Sequence, residues 1–143
     1  MEKQFPKLVL TDIDGVWTDG GMYYNSNEDE LKKFNTSDSA GVIFCRMMNI
    51  PVGIITGENT IMVERRAKKL KIEYIFQGIH NKLAIAEKLC NELNIELKDV
   101  AYIGDDFIDI PLLKKVCYSG APENATESVK ELCTYKVPIK GVD

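Results

Sequence analysis

Lys7-Leu8-Val9-Leu10-Thr11-Asp12-Ile13-Asp14-Gly15 decides the fold, because an apolar run of strand length ends there in two carboxylates and a glycine. Consecutive apolar residues suit a strand covered on both faces, as in a parallel sheet. Open α/β sheets hold their ligands beyond the carboxyl ends of such strands. Side chains alternate along a strand, so Asp12 and Asp14 face the same way until Gly15 lets the chain turn. The pair is compatible with a nucleophile and an acid, with cation binding, or with helix capping.

Outward from this stretch, strand-like apolar runs recur at 51–56, 74–76, 100–103 and 117–119. Helical patterns fill the gaps at 39–48, 60–70, 81–93, 106–116 and 123–132. The clearest is 81–93, where Leu83, Ala86, Leu89, Cys90 and Leu93 keep a 3.6-residue stripe with Lys and Glu on the other face. This alternation predicts an α/β fold, a doubly wound and mostly parallel Rossmann-like sheet covered on both sides. One segment departs from it: Gly20 to Tyr24, a polar turn over 25–29, and Glu30 to Phe34 read as a β-hairpin projecting over about 20–34. No repeat, low-complexity tract or linker interrupts the chain, so the expectation is one domain over 1–143.

Bulk properties exclude several classes. With 143 residues and 45% hydrophobic content, the chain suits a single core. A net charge of −4 and a pI near 5.1 argue against a nucleic-acid binder, which needs a basic face. No apolar stretch approaches the roughly 20 residues that span a bilayer, and Met1-Glu2-Lys3-Gln4-Phe5-Pro6 has no hydrophobic signal core. No membrane partner is therefore expected, and the sequence reads as cytoplasmic. Cys45, Cys90, Cys117 and Cys133 form no C-x-x-C pair and have only His80 as imidazole companion, so they read as buried reduced thiols.

Four short elements end successive strands: Asp12 and Asp14, then Thr56-Gly57, then Lys82 opening a helix, then Gly104-Asp105-Asp106. In a doubly wound sheet they converge. A phosphate monoester needs such a set, since its oxygens repel an anionic nucleophile. A divalent cation and a Lys must neutralise charge, while a hydroxyl and backbone amides hold the equatorial oxygens. Mg²⁺ prefers a few carboxylate oxygens with water and substrate phosphate, which fits Asp12, Asp105 and a backbone carbonyl near Asp14.

These motifs, with Asp12-Ile13-Asp14-Gly15-Val16, Ile55-Thr56-Gly57, Lys82 and Gly104-Asp105-Asp106-Phe107-Ile108-Asp109 in order, resemble those of the haloacid dehalogenase superfamily. The resemblance implies that Asp12 attacks phosphorus to form an aspartyl phosphate, and that Asp14 protonates the leaving group and then activates water. It further implies that Thr56, Gly57 and Lys82 bind the phosphoryl group, and that Asp105 completes a Mg²⁺ site supported by Asp106 or Asp109. The gaps from Asp14 to Thr56 and from Thr56 to Lys82 are too short for a cap. Asp12 to Gly20 and Phe34-Asn35-Thr36-Ser37-Asp38-Ser39-Ala40-Gly41 are similar to the capless sugar-acid phosphatase branch of that superfamily. That branch implies homotetramers built around the hairpins, with a neighbouring subunit as lid, and Thr36 and Ser37 near substrate. Glu58 and Lys69 resemble nonulosonate 9-phosphate phosphatases; 3-deoxy-octulosonate 8-phosphate phosphatases are the alternative. Arg66 falls where both carry an Arg suited to a substrate carboxylate.

The expectations for the remaining residues are less exotic. Arg65, Lys68, Lys69 and Lys71 crowd a helix C-terminus, where the dipole favours positive charge anyway. Thr56 is also placed to cap the following helix. His80 reads as a surface or cap residue; Trp17, Met22, Tyr23 and Tyr24 suit core, subunit interface or substrate wall, and the interface is favoured because a protruding hairpin cannot bury aromatics alone. Branch members usually continue into a Gly-rich, Arg-containing tail, so after Lys140-Gly141-Val142-Asp143 the expectation is a tail lost or a lid built differently. Two readings from other classes stand beside the enzyme: a phosphatase-like binding module, and a phosphoacceptor receiver domain, whose acidic pair comes first and whose phosphorylated Asp follows the third strand.

Overall fold

The computed structural model describes residues 4–27 and 30–141. Met1 to Lys3, Glu28 and Asp29 of the expected hairpin turn, and Val142-Asp143 lie outside the described residues. The elements run β1 (Leu8–Thr11), β2 (Tyr23–Tyr24), β3 (Glu30–Leu31), α1 (Ser37–Met47), β4 (Val52–Ile55), α2 (Ile61–Lys69), β5 (Tyr74–Phe76), α3 (Lys82–Leu93), β6 (Val100–Ile103), α4 (Ile110–Leu113), β7 (Tyr118–Ala121), α5 (Glu127–Leu132) and β8 (Tyr135–Lys136).

Six strands form one parallel sheet in the order β5-β4-β1-β6-β7-β8, with β2 and β3 pairing as a separate antiparallel hairpin. From β1 the chain winds outward through β4 to β5, then returns to place β6 on the other flank of β1. The direction of winding therefore reverses between β1 and β6, and such a switch point opens a crevice beyond the strands' carboxyl ends. A receiver domain would put its third strand beside its first; here β4 and β6 hold those places.

Strand alternation divides the core into two. Leu8, Leu10 and Ile55 pack with Leu89 of α3, Leu112 and Leu113 of α4 and Val129 of α5. On the other face Ile54 packs with Val42 of α1 and with Val63 and Ala67 of α2. Each aliphatic side chain removed from water contributes roughly 1.5–3 kcal/mol, so Ile54 and Ile55 clamp opposite helix layers to one strand. Among the described residues, no helix is long and apolar enough to cross a membrane.

Several expected boundaries shift for local reasons. α1 begins at Ser37 rather than 39 because the Asn35 side chain accepts the Ser37 N–H at 2.8 Å. The predicted 106–116 helix is a 3₁₀ turn over Phe107–Asp109 followed by the short α4, since Asp106 and Asp109 satisfy the turn's amides with their carboxylates. The 123–132 helix starts at Glu127, because Asn124 instead binds Gly15 and the Thr126 N–H bonds Asp105 O. The last predicted strand, 117–119, is β7, two residues longer at its carboxyl end and one shorter at its start, and β8 was not anticipated.

Candidate active site

Asp12 leaves β1 at the switch point. Its N–H bonds Ile103 O of β6 at 3.0 Å, and its Oδ1 accepts the Ile13 N–H at 2.8 Å. Gly15 has φ of +81°, and a Cβ there would lie 1.8 Å from Asp105 Oδ2. Only glycine allows both that backbone and that approach. Gly104 has the same steric duty, since a Cβ there would come within 2.6 Å of Asp109 Cβ. The two glycines thus let the β1 and β6 loops bring their carboxylates together: one oxygen each of Asp12, Asp105 and Asp109 lies within 4.8 Å of the others.

Asp109 is fully buried and fully engaged. Its Oδ2 accepts the N–H groups of Asp105 at 3.0 Å and Asp106 at 3.2 Å. Its Oδ1 accepts from Lys82 at 2.7 Å and from the Tyr102 hydroxyl. Lys82, 2% exposed at the start of α3, also lies 3.1 Å from Asp12 Oδ1. Asn81 sets that helix start by accepting the Ala84 N–H. Burial opposes the ammonium charge, but Asp12 and Asp109 outweigh it and raise the Lys82 pKa.

One cation does not balance this cluster. Burial, then repulsion from Asp109, pushes Asp12 up to about 6 against the pull of Lys82. Burial and the adjacent Asp12 push Asp105 up to about 8. Carboxylates crowded in this way share protons or take up a cation. Burial and Asp109 hold the Tyr102 phenol well above its usual range, so it stays a donor.

The mouth of the cleft has another character. Its volume is about 260 Å³, and Asp12, Asp14, Gly20, Thr56, Gly57, Glu58, Lys82, Asp105, Asp106 and Ile108 line it. Thr56 is buried with its backbone pinned, its N–H on Phe76 O at 2.9 Å and its O receiving the Ile79 N–H at 3.0 Å. It does not cap α2; Thr60 does, accepting the Val63 N–H at 3.4 Å. From the hairpin, Lys32 donates to Asp14 Oδ1 at 2.5 Å and to Glu58 Oε2 at 2.9 Å. A larger cleft of about 420 Å³ lies at the opposite end of β4 and β5 and holds none of the predicted site residues.

Thr36, Ser37, Arg66 and Lys69 are not gathered into this cleft. Exposed Thr36 and Ser37 begin α1, and exposed Lys69 ends α2. Arg66 turns to its own chain, donating to Ser39 Oγ at 3.1 Å and Asn35 O at 3.3 Å with its guanidinium over Phe34. Asp106 lines the cleft while accepting the Phe107 N–H at 2.7 Å. Trp17 is a correction: at 6% exposure it belongs to the α1/α2 core, because its indole N–H reaches Thr11 Oγ1. Met22, Tyr23 and Tyr24 are exposed, as is His80. All four thiols are free, but only Cys90 and Cys133 are buried, since Cys45 and Cys117 sit where helix and strand meet solvent.

The profile of the haloacid dehalogenase-like hydrolase family matches residues 66–140. The 3-deoxy-D-manno-octulosonate 8-phosphate phosphatase of Salmonella typhi is 39% identical over 135 residues, covering 94% of this chain and 72% of its own. The chain belongs to the haloacid dehalogenase-like hydrolase family. The hydrolase also superposes on the 3-deoxy-D-manno-octulosonate 8-phosphate phosphatase of Moraxella catarrhalis, solved in complex with magnesium ion, phosphate ion and a KDO molecule. That match has a TM-score of 0.94 at 36% identity and covers 96% of this chain and 79% of the other. The enzyme of the same description from Yersinia pestis gives a TM-score of 0.92 at 37% identity, covering 95% and 74%.

Three residues of the hydrolase site escaped the sequence reading. Tyr102 looked like one more apolar strand residue. Asn124 donates to Gly15 O at 2.8 Å and accepts the Gly141 N–H at 2.7 Å, tying the carboxyl end of the described chain to the Asp14–Gly15 loop. Lys32, beside exposed Lys33, had only strand alternation to set one lysine inward and the other out.

Proposed function

We propose that this hydrolase is a Mg²⁺-dependent phosphatase in which Asp12 is the nucleophile, and that its substrate is a 2-keto-3-deoxy sugar acid phosphate. The observation that carries the reading is the meeting of Asp12, Lys82 and Asp105 at the switch point, inside a cleft lined by Thr56 and Gly57. The donor set fits a hard cation, since every candidate ligand is oxygen. Asp12, Asp105 and the Asp14 carbonyl would hold the ion, with Asp109 behind them because its oxygens already serve Lys82, Tyr102 and two amides. When bound, Mg²⁺ supplies positive charge against the phosphate oxygens and lowers their repulsion of Asp12.

The chain's own residues do the rest. Lys82 offsets charge beside the Asp12 carboxylate, and Thr56 with the Gly57 amide receives phosphoryl oxygens. An Asp12 oxygen forms a bond to phosphorus as the ester P–O bond breaks, and Asp14 gives its proton to the departing sugar oxygen. Asp14 then takes a proton from water, whose oxygen attacks phosphorus and returns Asp12 as a carboxylate. Asp12→Asn is expected to lower turnover by at least about 10³-fold with the circular dichroism spectrum unchanged. Retained turnover would remove Asp12 from the nucleophile's role.

For the sugar, our first choice is a nonulosonate 9-phosphate, supported by Glu58 in the cleft wall, where it can accept from sugar hydroxyls. The second is the 3-deoxy-octulosonate 8-phosphate, favoured by the relative that is 39% identical. Steady-state kinetics on both esters separate them; the higher kcat/KM names the substrate. We further propose a homotetramer assembled through the hairpins, in which Thr36, Ser37, Arg66 and Lys69 serve a neighbour's cleft as part of its lid. The exposed Met22, Tyr23, Tyr24 and Leu31 support this assembly. Light scattering that returns a monomer at micromolar concentration would remove it.

A further inference from the structure

The hairpin ends in a lysine whose side chain is wholly covered, while the two carboxylates it joins stay open to the cleft. Asp14 and Glu58 are 28% and 34% exposed, against 0% for Lys32. A carboxylate on a turning loop has several rotamers within reach. One bond from a fixed ammonium selects among them, and the Glu58 bond fixes the ammonium in turn. With Asp14 Oδ1 taken by Lys32 at 2.5 Å, Oδ2 is the oxygen left to present a proton to the cleft. We propose that Lys32 is a positioning residue: it holds the Asp14 carboxyl with Oδ2 aimed at the leaving oxygen, so that hairpin, acid and Glu58 act as one unit.

This inference rests on the phosphatase reading, in which Asp14 moves its proton to the ester oxygen as the P–O bond breaks. Its consequence is a dependence on the leaving group. A sugar alkoxide must be protonated to depart, whereas p-nitrophenolate leaves without help, so a misaimed acid harms the first reaction far more than the second.

The test compares wild type, Lys32→Met, Lys32→Arg, Asp14→Asn and the Lys32→Met/Asp14→Asn pair on a sugar acid phosphate and on p-nitrophenyl phosphate, with Mg²⁺ present. Lys32→Met is expected to lower the ratio of the two kcat values by about tenfold or more, within the 10²–10⁴-fold range that general acids supply. Its KM for the sugar ester should move much less than its kcat. Lys32→Arg should restore most of the ratio, and the double variant should be no slower than Asp14→Asn alone, as for residues acting through one another. Inorganic phosphate binding, read by calorimetry, should match wild type. An unchanged ratio, or losses that multiply in the double variant, would overturn the positioning role. If Lys32→Met does not fold, Lys32→Gln carries the same comparison. Failure of the underlying reading is distinct: wild type would then hydrolyse neither ester.

Discussion

Lys82 and Lys32 both ion-pair beside the Asp12–Asp14 loop, yet Lys82 lies between two buried carboxylates, whereas Lys32 reaches carboxylates about a third exposed. Lys82 sits at the first position of a capped helix packed on the sheet, and its partners come from the loops after β1 and β6. Lys32 follows a two-residue strand of an outlying hairpin. The difference separates two kinds of work. A buried pair cannot lose one member without stranding the other's charge, so Lys82 bears on folding as well as on the proposed phosphate chemistry. Water can take over for a partner at the mouth, so Lys32 bears on orientation and little on stability.

Three measurements break or sharpen that contrast. The largest effect is expected for Lys82→Met, which strands Asp12 and Asp109 and should lower unfolding free energy by about 3–5 kcal/mol in urea titration. A loss under about 1 kcal/mol would mean the buried charges are compensated elsewhere.

Next comes the pH dependence of the metal-free protein. Asp12 and Asp105 hold protons more tightly folded, with pKa values raised from 3.8 to about 6 and about 8. Their contribution is complete below about pH 4 and is lost as pH rises through those folded values. Thermal unfolding should therefore show the unfolding free energy falling from pH 5 to pH 8.5 by an amount on the order of a few kcal/mol, with the melting temperature falling alongside it. Adding Mg²⁺ should remove most of that slope, and a slope of the opposite sign would mean the carboxylates are already neutralised. The smallest effect is expected for Lys32→Met, whose urea midpoint should shift by less than about 1 kcal/mol. A loss matching that of Lys82→Met would erase the distinction between floor and mouth.

The floor was legible in sequence, and at the mouth Asp14, Gly57 and Glu58 were too, but Lys32 was not. Asp12, Thr56, Lys82 and Asp105 each follow a strand with a strong apolar pattern, so strand order alone brings them to one edge of the sheet. Lys32 has no such marker, since a lysine near a hairpin is an ordinary solvated residue until the hairpin's lean over Glu58 is known. Trp17 misled for a related reason: it lies just before the projecting hairpin and reads with that hairpin's aromatics, while the tight turn at Gly15 folds it back onto Thr11. Thr56 lines the cleft, while the capping duty that its position suggests belongs to Thr60.

What the amino-acid sequence determined by itself is the alternation of buried strands and amphipathic helices, and with it the order in which carboxylates, hydroxyl and lysine reach the crevice. That much follows from local hydrophobic period, which one chain segment carries alone. Only the tertiary structure decided that Asp109 is saturated behind the Asp12 and Asp105 carboxylates, that Arg66 turns to Asn35 and Ser39, and that Lys32 joins Asp14 to Glu58. Apart from the Asp105 amide on Asp109, those are contacts between segments distant in sequence, and the choice among possible partners is made by which surfaces the sheet and hairpin bring within hydrogen-bond reach.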